Sequence, residues 1–247
     1  MNEDKFTGKA GVYAKYRPAY AAAFVDYLYD RVGFSPGSTV ADIGAGTGIL
    51  SRQLLERGSR VVCVEPNGDM RREAERTLSG FPGYMSVDAA AEDTGLAGHS
   101  VDFITVAQAF HWFDADRFRD ECRRILKPGG RVVLIWNSRM SEAALIKDND
   151  AVCRKYCPDF GGFSGGSAEG PDACAGFFLD GCDFAVFQNN RTLTLDQFIG
   201  GSLSASYAPR EGQEGYQPFI GGLTSLFHQY AADGILTIPQ ITRSYTG

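Results

Sequence analysis

What this chain lacks excludes several classes of protein. No stretch approaches the ~20 consecutive apolar residues that a membrane span requires. The opening Met1-Asn2-Glu3-Asp4-Lys5 is too polar and acidic for a secretory leader. The expectation is a cytoplasmic protein without membrane contact. There is no basic excess either: the formal net charge is −6, which argues against electrostatic capture of long nucleic acid. Histidine is scarce, with three in 247 residues, and none of the six cysteines forms a C-x2-C pair. Zinc sites favour such tight pairs, so no metal is expected. Cys63 and Cys122 fall in strand and helix patterns and read as small core residues. Cys153 and Cys157 would share one face of a helix, Cys174 and Cys182 follow, and free thiols suit a reducing compartment. No internal repeat and no second domain is visible. What is present is a hydrophobic fraction of 44% and an aromatic fraction of 12%, enough for a sizeable core.

The chain is organised around Thr39-Val40-Ala41-Asp42-Ile43-Gly44-Ala45-Gly46-Thr47-Gly48-Ile49-Leu50. The β-branched run 39–43 reads as a buried strand. Three glycines then make a tight turn, and a helix begins near Gly48 with Leu50, Leu54 and Leu55 on one face. Glycine lets the backbone approach a ligand closely, and the helix N-terminus offers unpaired N–H groups. Strand, glycine turn and helix open a nucleotide-binding α/β domain. The spacing is G-x-G-x-G, with Ile49 where a dinucleotide fingerprint would require glycine. A second buried strand, Arg60-Val61-Val62-Cys63-Val64-Glu65-Pro66, ends in an acid that can accept both hydroxyls of a ribose. The competing reading of Glu65 is a helix cap, because Asn67 and Asp69 open the next helix. There Met70, Ala74 and Leu78 share a face.

Asp42-x-Gly44-x-Gly46-x-Gly48 resembles the first motif of class I S-adenosylmethionine-dependent methyltransferases. Other segments resemble the same family. Ala91-Glu92 ahead of Gly95-Leu96 is similar to its adenine-recognition loop. Ser100-Val101-Asp102 leads a fourth strand into Gln108-Ala109-Phe110-His111-Trp112. Leu126-Lys127-Pro128-Gly129-Gly130 precedes a fifth strand, 131–137. The likeness is to the methyltransferase type 11, trans-aconitate-methyltransferase-like, small-molecule branch and covers residues 6–137. It implies an α/β fold: a Rossmann-like seven-stranded, mostly parallel sheet with helices on both faces and an antiparallel C-terminal hairpin. It implies S-adenosyl-L-methionine as cofactor, held by Tyr13, Arg17, Asp42, Gly44, Ala45, Gly46, Glu65, Pro66, Ala91, Glu92 and Gln108. In that reading Asp42 lies near the cofactor's cationic amino group and Gln108 near its methionine end. Ala91 and Glu92 are assigned by backbone position only. Tyr13-x-x-Tyr16-Arg17-Pro18 is similar to the family's N-terminal lid; the alternative is an ordinary docking strap.

The chain thus divides into a lid or strap, 1–34, a cofactor-binding core, 35–137, and a C-terminal part, 138–247, within a single methyltransferase domain. A helix is expected over about 19–29 and another over about 141–156. Segments 183–193 and 235–245 each read as a strand, with a break at Pro239. Phe219, Leu223, Leu226, Phe227 and Tyr230 form a helix face. Residues 202–207, between helices, resemble a family segment near the acceptor. A sulfonium methyl is already activated, so transfer is an in-line displacement in which positioning does much of the work. A general base is needed only for an acceptor with a proton to lose. His111 is the one candidate base, against the plainer reading of a packed histidine between Phe110 and Trp112. The acceptor is expected to be a small molecule, met by some of Tyr16, His111, Trp112, Asn137, Arg139 and Tyr207; Arg139 would suit a carboxylate. Two other functions stay open: a non-catalytic protein that keeps the cofactor fold, and an NAD-dependent oxidoreductase.

Overall fold

The structure, a computed structural model, describes residues 18–163, 170–205 and 207–247. The expected cofactor contacts Tyr13 and Arg17, and the acceptor candidate Tyr16, lie outside these residues. The β-branched runs make the sheet. β1 (Thr39–Ile43), β2 (Arg60–Val64), β3 (Tyr84–Val87), β4 (Val101–Ala107) and β5 (Leu126–Arg139) pair in parallel. β6 (Asp183–Gln188) and β9 (Gln240–Thr246) complete it in the order β3-β2-β1-β4-β5-β9-β6, with β9 antiparallel to both neighbours. This is the expected seven-stranded Rossmann-like sheet with its antiparallel C-terminal pair.

The central strands β1, β2, β4 and β5 are buried on both faces, as crossover helices require, and the edge strands β3 and β6 are partly exposed. Ile43, Ile104, Val106, Leu134 and Tyr245 pack on one face with Phe118 and Ile125 of helix α4 (Ala115–Ile125). Val40, Phe103, Val133 and Ile135 pack on the other. There they meet α1 (Ala22–Tyr27), α2 (Ile49–Glu56) and, through Ala74 and Leu78, α3 (Gly68–Leu78). Cys63 and Cys122 are buried in these two cores. The described cysteines are all unbridged.

Four boundaries differ from the sequence reading. The first helix begins at Ala22 rather than 19 and runs on through a π-turn, Leu28–Val32, until Gly33 turns left-handed at φ 105°. The fifth strand begins at Leu126 rather than at 131. Leu126 is already extended and pairs with Val101, the next pairing joins Phe103 to Arg131, and residues 127–130 loop out between them. Pro128 lacks the N–H a continuous ladder would use. Helix α5 starts at Ala144, not 141. The two late segments each split: β7 (Arg191–Leu193) and β8 (Leu236–Ile238) leave the main sheet and pair with each other. The split at Pro239 was expected; the one at Asn189-Asn190 was not.

That small ribbon joins a third core. Leu145, Ile146 and Cys153 of α5 (Ala144–Tyr156), Phe198 of α6 (Leu195–Leu203), and Phe219, Leu223 and Phe227 of α7 (Tyr216–Tyr230) bury one another with Leu193, Leu236 and Ile238. Thr194 caps α6 in a full capping box with Gln197. The unit grows out of the carboxyl end of β5. In open α/β sheets ligands bind outside the carboxyl ends of the strands.

Candidate cofactor and acceptor site

A cavity of about 360 Å³ opens where the carboxyl ends of β1, β2 and β4 meet. Its floor is the glycine turn. Gly44 has φ 67°, and a Cβ there would sit 2.6 Å from the Cβ of Ala109. Gly48, φ 77°, lets α2 press on Leu78 of α3. Gly46, φ 56°, has nothing within 4 Å of where a Cβ would stand, so its open side faces the cavity. Gly44 N–H and Ala45 N–H donate to Val64 O at 2.8 and 3.2 Å, which ties the turn to β2.

Two carboxylates hold this turn from below and from the side. Asp42 is buried; Ser51 Oγ and Thr105 Oγ1 donate to it at 2.5 and 2.9 Å. Burial pushes its pKa up to about 6, against the lowering effect of the two hydroxyls. Asp42 lines the cavity, with its oxygens bonded to β4 and α2. Glu65 Oε2 accepts from Gly46 N–H and Oε1 from Asn67 N–H, both at 2.8 Å. Helix α3 is capped by the side chain of Asn67, which accepts from Asp69 and Met70 N–H. The capping role considered for Glu65 therefore belongs to Asn67.

The remaining walls come from two loops. Ala90, Ala91 and Glu92 line one side. Glu92 Oε1 accepts from Asp114 N–H, and Glu121 Oε1 accepts from both Thr94 N–H and Thr94 Oγ1. The Arg124 guanidinium beside Glu121 holds that carboxyl down at about 2, so a charged pair fixes the loop behind the cavity wall. After β4, Gln108 takes a left-handed φ of 60°; its N–H donates to Ile135 O and its Nε2 to Asn137 O, each at 2.9 Å. A non-glycine residue there stores strain, a mark of functional sites.

All nine expected cofactor residues that are described, from Asp42 to Gln108, line the one cavity. Of the described acceptor candidates only Trp112 does. His111 lies outside it, exposed and 4.6 Å from the Trp112 ring, and partial desolvation lowers its pKa. Arg139 stacks its guanidinium 3.9 Å over Phe163, and Tyr207 meets Phe160 at 4.8 Å, both beside the third core. Sequence reasoning missed Tyr20, Thr47, Ala109 and Phe113 on the wall. Tyr20 was signalled by its place just after Pro18, and Thr47 by lying inside the glycine turn. Among the described residues no group of three His, Cys, Asp or Glu could hold a metal, and no helix is long and apolar enough to cross a membrane.

Residues 41–134, which span β1 through most of β5, match the methyltransferase domain family. An uncharacterized methyltransferase of Mycobacterium tuberculosis is 36% identical over 143 residues, 58% of this chain and 56% of that protein. A methyltransferase-like protein of Schizosaccharomyces pombe is 25% identical over 75% of this chain and 71% of its own. The chain thus spans just over half the length of the first of these relatives. A solved structure from Anaeromyxobacter dehalogenans, described as a type II methyltransferase, superposes with a TM-score of 0.64 at 24% identity, covering 94% of this chain and 97% of that one. A phosphoethanolamine N-methyltransferase of Haemonchus contortus, solved with S-adenosylhomocysteine, reaches 0.55 at 17% identity over 99% of this chain and 58% of that one. The core of this chain is a class I S-adenosylmethionine-dependent methyltransferase domain. S-adenosyl-L-methionine is the cofactor of this methyltransferase family, and the cavity fits it chemically. Thr47 Oγ1 is buried on its wall without a hydrogen-bond partner, a polar atom that a ligand would satisfy. The bare face of Gly46 leaves room for that ligand's backbone contact.

Proposed function

We propose that this methyltransferase moves a methyl group from S-adenosyl-L-methionine to a small-molecule acceptor, acting as a single domain whose residues 138–247 form the acceptor side. The observation that carries this is the charge of the cavity wall. It presents Asp42, Glu65 and Glu92, and no Lys, Arg or His among the described lining residues. Such a wall suits a cationic sulfonium ligand and gives a dinucleotide's pyrophosphate no counter-charge. That weighs against the NAD-dependent alternative.

Each wall element has a task in this reading. Glu65, at the end of β2, accepts the ribose hydroxyls on lone pairs beyond those used by Gly46 and Asn67. The backbone of Ala91 and Glu92 borders the base, with Pro66 and Met70 as apolar flanks. Gly44, Ala45 and Gly46 border the amino-acid end, under the field of Asp42. When bound, the cofactor supplies a methyl group already activated for in-line displacement. Gln108, fixed through Asn137, borders the methionine end, and Trp112 at the rim orients the acceptor and excludes water. Orientation of this kind is worth up to ~7–11 kcal/mol in favourable systems. His111, neutral at physiological pH and two residues from the cavity-lining Ala109, takes a proton only if the acceptor must lose one.

Calorimetry with S-adenosylhomocysteine and NAD tests the site, and methyl-labelled cofactor with a metabolite mixture tests turnover. The expected result is tight binding of S-adenosylhomocysteine, no comparable NAD signal, and label in a small product. Equal or stronger NAD binding would overturn the reading; binding without label in any product would favour a non-catalytic role.

A further inference from the structure

Asn189 sits at the end of β6, where the chain leaves the main sheet for β7 and the third core. It is on the far edge of the sheet from the glycine turn. Yet it reaches the cofactor cavity by a short route. Its Nδ2 donates to Ala19 O at 3.0 Å and to Asn137 Oδ1 at 3.0 Å, with Thr242 Oγ1 at 3.2 Å. Asn137 Nδ2 donates to the same Ala19 carbonyl at 3.2 Å, and Ala21 N–H donates to Thr242 Oγ1 at 3.0 Å. The residue between these two anchors is Tyr20, which lines the cavity. On its other side Tyr20 exchanges two bonds with Gln53 of α2: Tyr20 N–H donates to Oε1 at 3.0 Å and Tyr20 O accepts from Nε2 at 2.9 Å. Asn137 O in turn accepts from Gln108 Nε2 on the opposite wall.

We propose that Asn189 is a positioning residue for the methyl-transfer site: through Ala19 it fixes Tyr20 as a wall of the cofactor cavity, and so ties cofactor binding to the point where the acceptor-side unit joins the sheet. The proposal rests on the cavity being the cofactor site. The anchoring has a physical logic. Residues 18–21 lie outside helix and strand, with only the Ala21 carbonyl taking up the first turn of α1, so side chains from four distant segments hold Ala19 O, both backbone groups of Tyr20 and Ala21 N–H. Asn189 is the one of these that also belongs to the turn into β7. Its own N–H donates to Gln240 O at 2.8 Å, and Asn190 Oδ1 accepts from Gln240 N–H, so the turn itself is held in register with β9. A shift of this turn is then felt at Ala19.

A double-mutant cycle read by S-adenosylhomocysteine calorimetry tests this. Asn189→Ala should weaken binding about tenfold, the cost of two or three lost hydrogen bonds. Asn189→Asp, which cannot donate, should do the same. Tyr20→Ala should weaken binding at least as much, and the double variant should bind no worse than Tyr20→Ala alone, because Asn189 acts through that residue. Amide exchange at Tyr20 and Ala21 should speed up in both Asn189 variants without ligand, while exchange in β1 and β4 stays protected. Wild-type affinity in Asn189→Ala, or losses that multiply in the double variant, would overturn the proposal. So would unchanged amide exchange at Tyr20 and Ala21. If the wild type itself binds no S-adenosylhomocysteine, the cofactor reading falls; faster exchange in the variants would then still attest the anchor.

Discussion

The cofactor-binding core and the C-terminal unit of this chain are held together by different physics. Around the glycine turn the structure spends buried polar groups. Asp42 takes two hydroxyls, Glu65 takes two backbone N–H groups, and Glu121 takes Thr94 and Arg124. Buried polar networks, once satisfied, specify one geometry at high cost for any change. The unit built on α5, α6 and α7 is different: among the described residues its interior is mainly Leu, Ile, Phe and Cys, with Asn149 and Ser202 buried beside them. An apolar core tolerates substitution as long as volume is kept. A domain that binds an invariant cofactor needs the first kind of construction. The methyltransferase family match ends at residue 134, just before the apolar unit begins.

The sharpest way to break this contrast is at Gly44. Its φ of 67° and the 2.6 Å approach to Ala109 leave no room for a side chain. Gly44→Val should lower cofactor affinity by about a hundredfold or more, since both the turn and the Ala109 wall must shift. Calorimetry with S-adenosylhomocysteine checks it; affinity within a few fold of wild type would mean that the turn does not set the site.

Next in size is a cut in the opposite region. Leu223 is fully buried in α7. Leu223→Ala should cost about 2–5 kcal/mol of stability through lost burial and the cavity left behind. At temperatures where the variant is folded, cofactor affinity should stay within about threefold of wild type, because additivity holds for distant sites. Thermal denaturation and calorimetry on the same sample decide this. A parallel loss of affinity would show that the two regions are one cooperative site.

Glu65 comes third. Glu65→Gln keeps shape and an acceptor for one backbone N–H but removes the charge that a ribose would use. Each charge-assisted bond is worth ~1.5–3 kcal/mol, so affinity should fall at least tenfold. The melting temperature without ligand should drop by only a few degrees, because the carboxylate also steadies Gly46. Unchanged affinity would leave Glu65 as a brace for the turn alone.

The same contrast explains what could be read from the sequence. Strands β1, β2 and β4 were legible because buried parallel strands are continuous apolar runs, and Asp42, the glycines and Glu65 because their spacing follows from what a strand end can present. The division of 183–193 into β6 and β7 was not legible. Asn189-Asn190 is a weak turn signal, and its role depends on Ala19, 170 residues away. The early start of the fifth strand was hidden for a related reason: Pro-Gly-Gly reads as a break before a strand, but Leu126 ahead of it already pairs with Val101. Arg139 was one of several acceptor candidates, suited to a carboxylate by its charge. Its stacking on Phe163 joins two segments that no local pattern brings together.

The smallest expected effect belongs to Asp42 and concerns pH. Its carboxyl is pushed up to about 6 by burial, above the ~3.9 of an unfolded chain. A raised folded pKa means that the native state binds the extra proton between these values. The stability this group contributes is thus fully present below about pH 4 and is lost as pH rises through about 6. Asp42→Asn removes the titration while keeping a side-chain acceptor for one of the two hydroxyls. The stability of wild type relative to Asp42→Asn should therefore fall from pH 4 to pH 7, by on the order of 2 kcal/mol, and level off above. Denaturant midpoints of the two proteins across that range measure it. A cationic ligand adds a second sign: it favours the ionised carboxylate, so S-adenosylmethionine should bind the wild type more tightly at pH 7 than at pH 5 and release protons near pH 6, an effect absent in Asp42→Asn. A flat stability difference would mean that Ser51 and Thr105 fully compensate the burial, and equal binding at both pH values would remove Asp42 from any electrostatic part in holding the cofactor.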